Sequence, residues 1–249
     1  MMKASSKLTA LAIGLSTFMA GSAFAADITV GITGGPLPEV VGALSKAFEN
    51  ATGNKVILKP VAANQVAAQV KDGAFDALVS DEAAVNTLVK DGALSSGSRI
   101  MLSKVGLAVK AGAAKPKIAT ADDLKAALAS AKSVAYSQGA SGQHFVTVID
   151  RLGLTDALKS KSVVVQGRPV GAAVAAGEAE IGIQQVAELM PVPGVDLVGA
   201  LPGDVNKIIP YSAGVAAKAK DQGTAKAFVQ FLSSESAVSL LKQKGMDPG

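Results

Sequence analysis

The feature that most constrains this chain is a regular alternation of two hydrophobic patterns. Residues 28–32 alternate as a short β-strand does, and residues 37–51 carry apolar side chains at the spacing of an amphipathic helix. Between them, Gly34-Gly35-Pro36 breaks regular structure. Because strands separated by helices usually pair in parallel, repetition of this unit predicts an α/β fold with helices on both faces of a mostly parallel sheet.

The same two patterns continue along the rest of the chain. Further strands are predicted at residues 55–58, 77–79, 101–109, 133–136, 162–166 and 181–183. Helices are predicted at residues 64–71, 82–90, 143–152, 170–176, 224–232 and 235–244, and Thr120 is predicted to cap a further one. Residues 191–203, which are rich in Pro and Gly, are predicted to form a loop.

The first 25 residues have the organisation of an export signal. Lys3 and Lys7 form a positive start, residues 8–19 are apolar, and Ala23-Phe24-Ala25 supplies small residues at the cleavage site. The apolar run of about 12 residues is shorter than the roughly 20 that a membrane-spanning helix needs. We therefore expect a cleaved signal peptide at residues 1–25, delivery to the periplasm, and a mature chain that is not embedded in the membrane.

Composition excludes several classes of function. The chain has no Cys and one His, which excludes thiolate and multi-histidine metal sites and cysteine nucleophiles. We accordingly expect no metal and no cofactor. Removing Lys3 and Lys7 from the 24 basic residues leaves 22 against 20 acidic ones, and aromatic residues are only 4%. A nucleic-acid partner is not expected, because it would require a concentrated basic patch or stacking aromatics.

Small polar residues follow four of the predicted strands, before the next helix begins. They are Thr33, Gly34 and Gly35; Asn64 and Gln65; Ser141 and Gly142; and Gly167 and Arg168. The carboxyl ends of parallel strands meet at one edge of a sheet, where free helix N–H groups favour anions. Each loop alone is typical of a helix cap, but four together favour one anion pocket. The Arg168 guanidinium either holds a carboxylate through two hydrogen bonds or lies exposed at a helix start.

Two common catalytic motifs are missing from the sequence. Residues 139–143 lack the lysine of a phosphate-binding loop and the full G-x-G-x-x-G pattern, which argues against a nucleotide ligand. The single His144 lies three residues after Ser141 on one predicted helical turn, which does not suit a hydrolase triad. His144 can instead be a donor to a bound carboxylate, a general base, or a structural residue.

Several strings resemble one family of binding proteins. They are residues 62–70 (AANQVAAQV), Ala140-Ser141-Gly142, residues 177–183 (GEAEIGI), residues 228–234 (FVQFLSS) and Gly245-Met246-Asp247-Pro248. With the element order, they resemble the molybdate-binding-like branch of periplasmic solute-binding proteins over nearly the whole mature chain. The resemblance implies a two-lobed type II binding-protein fold, each lobe being a mostly parallel sheet flanked by helices. Lobe 1 would comprise residues 26–109 and 213–249, and lobe 2 residues 110–212.

The resemblance also implies a site in which hydroxyls and backbone N–H groups hold an anion between the lobes. Thr33, Asn64, Ser141 and the loop at Gly167 would be its contacts. Where molybdate binders have two serines and a tyrosine, however, this chain has Thr33-Gly34-Gly35, Ala63-Asn64 and Gln184-Gln185. The amide of Gln185 and the guanidinium of Arg168 suit planar carboxylates, and the same branch resembles periplasmic aconitate isomerases.

Two main functions are therefore expected. In the first, a monomer captures a small anion, either an organic polycarboxylate or an oxyanion such as molybdate, and delivers it to the membrane subunits of an ABC transporter. In the alternative, the chain is an enzyme that isomerises a small tricarboxylate, with His144 as the catalytic base. A binding module that serves a sensor is a third possibility, and the sequence leaves the ligand itself open.

Overall fold

The computed structural model describes residues 26–249, so the predicted signal peptide lies outside the described residues. The strands are β1 (Asp27–Ile32), β2 (Lys55–Pro60), β3 (Ala77–Asp81), β4 (Leu94–Lys110), β5 (Val134–Ser137), β6 (Ser162–Val165), β7 (Ile181–Gln185), β8 (Val195–Ala200), β9 (Ile208–Ala216) and β10 (Asp247–Pro248). The helices are α1 (Leu37–Thr52), α2 (Val66–Lys71), α3 (Glu82–Lys90), α4 (Ala121–Ser130), α5 (Ala140–Arg151), α6 (Thr155–Lys159), α7 (Val170–Ala175), α8 (Val186–Leu189), α9 (Gln222–Phe231) and α10 (Glu235–Gln243). A short 3₁₀ turn, Ala63–Gln65, precedes α2.

The strands form one sheet in the order β2-β1-β3-β9-β4-β7-β5-β6, with β8 and β10 paired to β4. Strand β1 pairs in parallel with β2 and β3, and we call these three strands the β1 group. Strand β5 pairs in parallel with β6 and β7, which form the β5 group. The long strands β4 and β9 run antiparallel to their neighbours and join the two groups. The predicted α/β fold class is confirmed, and its antiparallel centre is the feature that the strand and helix pattern did not predict.

The prediction of a loop over residues 191–203 is wrong for residues 195–200, which form a strand. Strand β8 occupies this region and pairs antiparallel with the second half of β4. The prolines of the region, Pro191, Pro193 and Pro202, flank the strand rather than interrupt it. Since a proline outside a strand removes no ladder hydrogen bond, the segment between them is free to pair.

Helix α1 forms where the apolar spacing predicts it and packs against the β1 group. Its buried side chains include Leu37, Val40 and Leu44, and the helix ends at Gly53, which adopts a left-handed conformation. The Phe48 ring meets Phe228 of α9 edge to face, with ring centroids 5.3 Å apart. The end of the chain therefore returns to pack against α1.

The predicted helix start at Thr120 is confirmed as the cap of α4. The Thr120 hydroxyl accepts a hydrogen bond from the Asp123 N–H at 3.1 Å, and the Asp123 carboxylate accepts one from the Thr120 N–H at 3.1 Å. This reciprocal arrangement satisfies two N–H groups that a helix start otherwise leaves free.

None of the helices within residues 26–249 combines the length and the apolar character needed to cross a bilayer.

Candidate anion-binding site

A cavity of about 470 Å³ opens between the carboxyl ends of the β1 group and those of the β5 group. Most of the residues that line it come from the ends of strands and the segments that follow them, while Tyr211 lies within β9 and Glu188 in α8. The lining residues are Thr33, Gly34, Gly35, Ala63, Asp81, Ser137, Gln138, Gly139, Ala140, Ser141, Val165, Gln166, Gly167, Arg168, Gln184, Gln185, Glu188 and Tyr211. Four of them, Thr33, Ser141, Gln184 and Gln185, are polar and buried. Burying a polar group costs free energy unless the group has a hydrogen-bond partner. The concentration of such groups here therefore makes this cavity the candidate binding site.

A chain of hydroxyls and a carboxylate forms the wall contributed by the β1 group. The Thr33 hydroxyl donates to Ser80 Oγ at 3.3 Å, and the Ser80 hydroxyl donates to Asp81 Oδ2 at 3.2 Å. The other Asp81 oxygen accepts from the Ala84 N–H at 2.9 Å and caps α3. Because Asp81 is held from both sides, it fixes the position of Thr33 through Ser80.

The base of the cavity is a pairing of Tyr211 with Gln185. The Tyr211 hydroxyl donates to Gln185 Oε1 at 3.0 Å, which leaves the Gln185 Nε2 group as a donor. Gly35 lies directly against both side chains and has a φ angle of +73°. A β-carbon at residue 35 would lie 3.3 Å from the Tyr211 oxygen and 3.4 Å from Gln185 Nε2. Gly35 is therefore required by its backbone conformation and by this close approach.

The N-terminus of α5 forms the wall contributed by the β5 group. The helix begins after Gly139, which offers no side chain to cap it, so the N–H groups of its first turn have no partner within the helix. Such N–H groups and the helix dipole favour an anion. The helix starts very close to β5, because a β-carbon at Gly142 would lie only 1.5 Å from the Ser137 carbonyl oxygen. The side chain of Ser141, in that same turn, is 2% exposed and borders the cavity.

A carboxyl group that the sequence analysis did not single out, Glu188 of α8, also borders the cavity. Gln184 Oε1 accepts from the Val170 N–H at 2.9 Å, so its Nε2 group is turned towards Glu188 and donates to Glu188 Oε1 at 2.8 Å. Burial raises the pKa of Glu188 to about 7, although hydrogen bonds from Gln185 and Gln184 oppose the shift. Burial likewise raises the pKa of Tyr211 to about 12, so the phenol stays neutral.

Arg168 lies at the rim of the cavity and is engaged by a carboxylate of its own chain. Its Nη1 donates to Glu178 Oε1 at 3.0 Å, and its Nη2 donates to Glu178 Oε2. Hydrogen bonding within this pair raises the pKa of Arg168 and lowers the pKa of Glu178. Both side chains are 44% exposed, and exposed ion pairs contribute little to stability. A dianionic ligand can therefore compete with Glu178 for the guanidinium.

The structure brings most of the predicted site residues together and separates four of them from the cavity. Thr33, Gly34, Gly35, Ser141, Gly167, Arg168 and Gln185 line it. Asn64, Gln65, Gly142 and His144 are not among its lining residues. Asn64 and Gln65 lie exposed on the 3₁₀ turn, of which Ala63 borders the cavity. Gly142 instead lets the first turn of α5 lie directly against the backbone of Ser137.

His144 points away from the cavity, to a different part of the molecule. Its Nε2 lies 2.9 Å from the Val205 carbonyl oxygen, and this nitrogen donates a hydrogen bond to it when it carries a proton. Sequence reasoning instead missed Asp81, Glu188 and Tyr211 as lining residues. The available signal was the spacing of Gln184, Gln185 and Glu188 in an otherwise apolar stretch. Within residues 26–249, no three His, Asp or Glu side chains are grouped as a metal site would require.

Comparison with known proteins identifies the family of this chain. The family described as bacterial extracellular solute-binding protein matches residues 28–247. An aconitate isomerase of Pseudomonas sp is 31% identical over 97% of this chain and 97% of its own length. The molybdate-binding protein of Azotobacter vinelandii is 30% identical over 96% of this chain and 95% of its own length.

Solved structures show the same architecture. A substrate-binding domain assigned to a molybdenum ABC transporter of Clostridium difficile superposes with a TM-score of 0.75 at 21% identity, covering 90% of this chain and 99% of the other. The type II periplasmic binding-protein fold implied by the sequence resemblance is therefore confirmed. With an α/β sheet whose strand ends enclose one polar cavity, and a family match from residue 28 to residue 247, the chain belongs to the bacterial extracellular solute-binding proteins.

Proposed function

We propose that this solute-binding protein captures a small organic polycarboxylate in the cavity and passes it, as an exported periplasmic protein, to the membrane subunits of an ABC transporter. The cavity would be the cleft between lobe 1 (residues 26–109 and 213–249) and lobe 2 (residues 110–212). Thr33, Gly34, Gly35, Ser141, Gly167, Arg168 and Gln185 would supply the contacts.

One observation carries this proposal: donors that follow the three strands of the β5 group converge on one cavity, which the β1 group closes from the other side. The Ser141 side chain and the free N–H groups of α5 lie on one wall, Gln185 Nε2 lies at the base, and Arg168 lies at the rim. The volume of about 470 Å³ falls in the usual range for small-molecule sites. A planar guanidinium donor can hold a carboxylate through two parallel hydrogen bonds.

The proposal is tested by thermal unfolding of residues 26–249 with molybdate, tungstate, sulfate, citrate, cis-aconitate and trans-aconitate. A ligand at about 100 times its dissociation constant adds about 2.7 kcal/mol to the unfolding free energy. We expect citrate or an aconitate to raise the melting temperature and sulfate to leave it unchanged. A shift with molybdate or tungstate alone would replace the polycarboxylate with an oxyanion, and no shift with any anion would refute the proposal.

Two substitutions at the rim test the role of Arg168. We expect Arg168→Ala to weaken the binding of a polycarboxylate by about tenfold, because a hydrogen bond to a charged group is lost. Glu178→Gln should tighten binding by about threefold, since it releases the guanidinium from its competitor. Isothermal titration calorimetry measures both effects. If both variants bind like the wild type, Arg168 forms only a structural ion pair.

A second candidate function, isomerisation of an aconitate, is favoured by the position of Glu188 in the cavity and by the similarity to the Pseudomonas isomerase. The Glu188 carboxylate would remove a proton from the saturated carbon beside the double bond. The double bond would then move by one carbon, and the same proton would return at the far end of the allylic unit. No oxidant, reductant or metal is needed, and a carboxyl with a pKa of about 7 suits this exchange.

Proton NMR of cis- or trans-aconitate incubated with the protein tests this second candidate. Glu188→Gln should abolish interconversion, whereas His144→Gln should keep nearly full activity, because His144 lies outside the cavity. The rate should rise as the pH increases through about 7 and level off above it, because the base must be ionised. Loss of activity in His144→Gln with retention in Glu188→Gln would reverse the assignment, and no conversion by the wild type would leave capture as the function.

A further inference from the structure

We infer that Glu188 enters the anion complex as the neutral carboxylic acid, so that each captured anion brings one proton into the cavity. The inference deepens the proposed function and rests on it. It concerns a residue that binding alone does not explain, because a carboxylate beside an anion site would repel the ligand.

The surroundings of Glu188 offer hydrogen bonds but no countercharge. Gln184 donates to one of its oxygens at 2.8 Å and is itself held by the Val170 N–H, so this contact is fixed. The cation that lines the cavity, Arg168, is paired with Glu178. No element of the site therefore neutralises an ionised Glu188.

The other titratable groups facing the cavity act in the same direction or not at all. Tyr211 of β9 stays a neutral phenol, with a pKa raised to about 12. Asp81 at the end of β3 has its two oxygens occupied by the Ala84 N–H and the Ser80 hydroxyl. Without ligand, burial already places the pKa of Glu188 at about 7. A bound dianion adds a like charge and raises that pKa further, which makes the protonated acid the form that accompanies the ligand.

A protonated Glu188 is also useful to the ligand. Its O–H can donate to a ligand oxygen, whereas the ionised form can only accept. Protonation therefore gives the cavity one more hydrogen-bond donor in the complex. It also removes the negative charge on Glu188 that would repel an incoming anion at higher pH. Affinity is expected to fall by up to tenfold for each pH unit above about 7, since one proton must be taken up with each anion.

The test is calorimetric titration of residues 26–249 with trans-aconitate, citrate and tungstate in two buffers of different ionisation enthalpy at about pH 8. The difference in observed enthalpy between the buffers gives the protons taken up per anion bound. We expect close to one proton for the wild type and none for Glu188→Gln, after the titration of the free ligand is subtracted. Glu188→Gln should also bind with an affinity that hardly changes between about pH 6 and about pH 9.

Asp122→Asn is the matched control, because it removes one exposed carboxylate from the first turn of α4. It should take up protons like the wild type. Binding by the wild type without proton uptake would overturn the inference and leave the proposed capture function intact. Absence of binding by all three anions would overturn both. The wild-type measurement alone decides the inference if Glu188→Gln fails to fold.

Discussion

Gly142→Ala is expected to lower the free energy of unfolding by at least about 3 kcal/mol. The added methyl group would lie 1.5 Å from the Ser137 carbonyl oxygen and 2.6 Å from the Ser137 carbonyl carbon. Both are backbone atoms of β5, so no side chain can rotate away to make room. The start of α5 must move from the sheet instead, and this movement also displaces Ser141. We therefore expect weaker anion binding together with the lower stability.

Thermal unfolding measures the loss, which should lower the melting temperature by roughly 6–12 °C for a chain of this size. The control is Gly203→Ala, because a β-carbon at residue 203 meets nothing within 4 Å. That variant should unfold within about 0.5 kcal/mol of the wild type. A Gly142→Ala protein as stable as the control would show that α5 does not start in contact with β5.

Glu188→Gln is expected to stabilise the protein by about 3 kcal/mol at about pH 8 and to have little effect near pH 4. The pKa of Glu188 rises from an ordinary 4.5 to about 7 on folding, because of burial. Between these values the folded protein holds more protons than the unfolded chain, so this residue's contribution to stability is lost as the pH rises. Glutamine keeps the oxygen that accepts from Gln184 and carries no charge at any pH.

Urea unfolding of wild type and variant at pH values from about 4 to about 8.5 measures this difference. Comparing the two proteins cancels groups such as Glu49 and Asp221, whose pKa values are lowered by backbone hydrogen bonds and which act in the opposite direction. Asp122→Asn again serves as the exposed-carboxylate control with which the difference for Glu188→Gln is compared. A constant difference for Glu188→Gln would mean that Glu188 titrates as an exposed carboxyl does.

The strands and helices themselves were largely predictable, because their hydrophobic spacing is a local property. Leu37, Val40 and Leu44 are buried as the spacing of α1 predicts. The pairing of β4 with β9 was not predictable, since Ile208–Ala216 shows the same apolar character whether its neighbour runs parallel or antiparallel. Strand β4 is 17 residues long because its first half pairs with β9.

The site was predictable only at the level of its loops. Thr33 and Ser141 reach one cavity because both follow strands whose carboxyl ends lie at the same edge of the sheet. Asn64 also follows such a strand, but the 3₁₀ turn leaves it exposed and presents Ala63 instead. The helical period gives no signal for the burial of Glu188, because α8 has only four residues, and only its spacing to Gln184 and Gln185 marked it.

The sequence by itself determined the α/β class, the helix faces, the family resemblance and the strand-end loops that would meet. These properties depend on the order and spacing of neighbouring residues, which a reader of the sequence sees directly. Only the tertiary structure decided which polar groups share one cavity, and that it includes Glu188 and excludes His144. Burial depends on segments far apart in the chain, and burial raises the pKa of Glu188 to about 7 and hence sets the chemistry of the site.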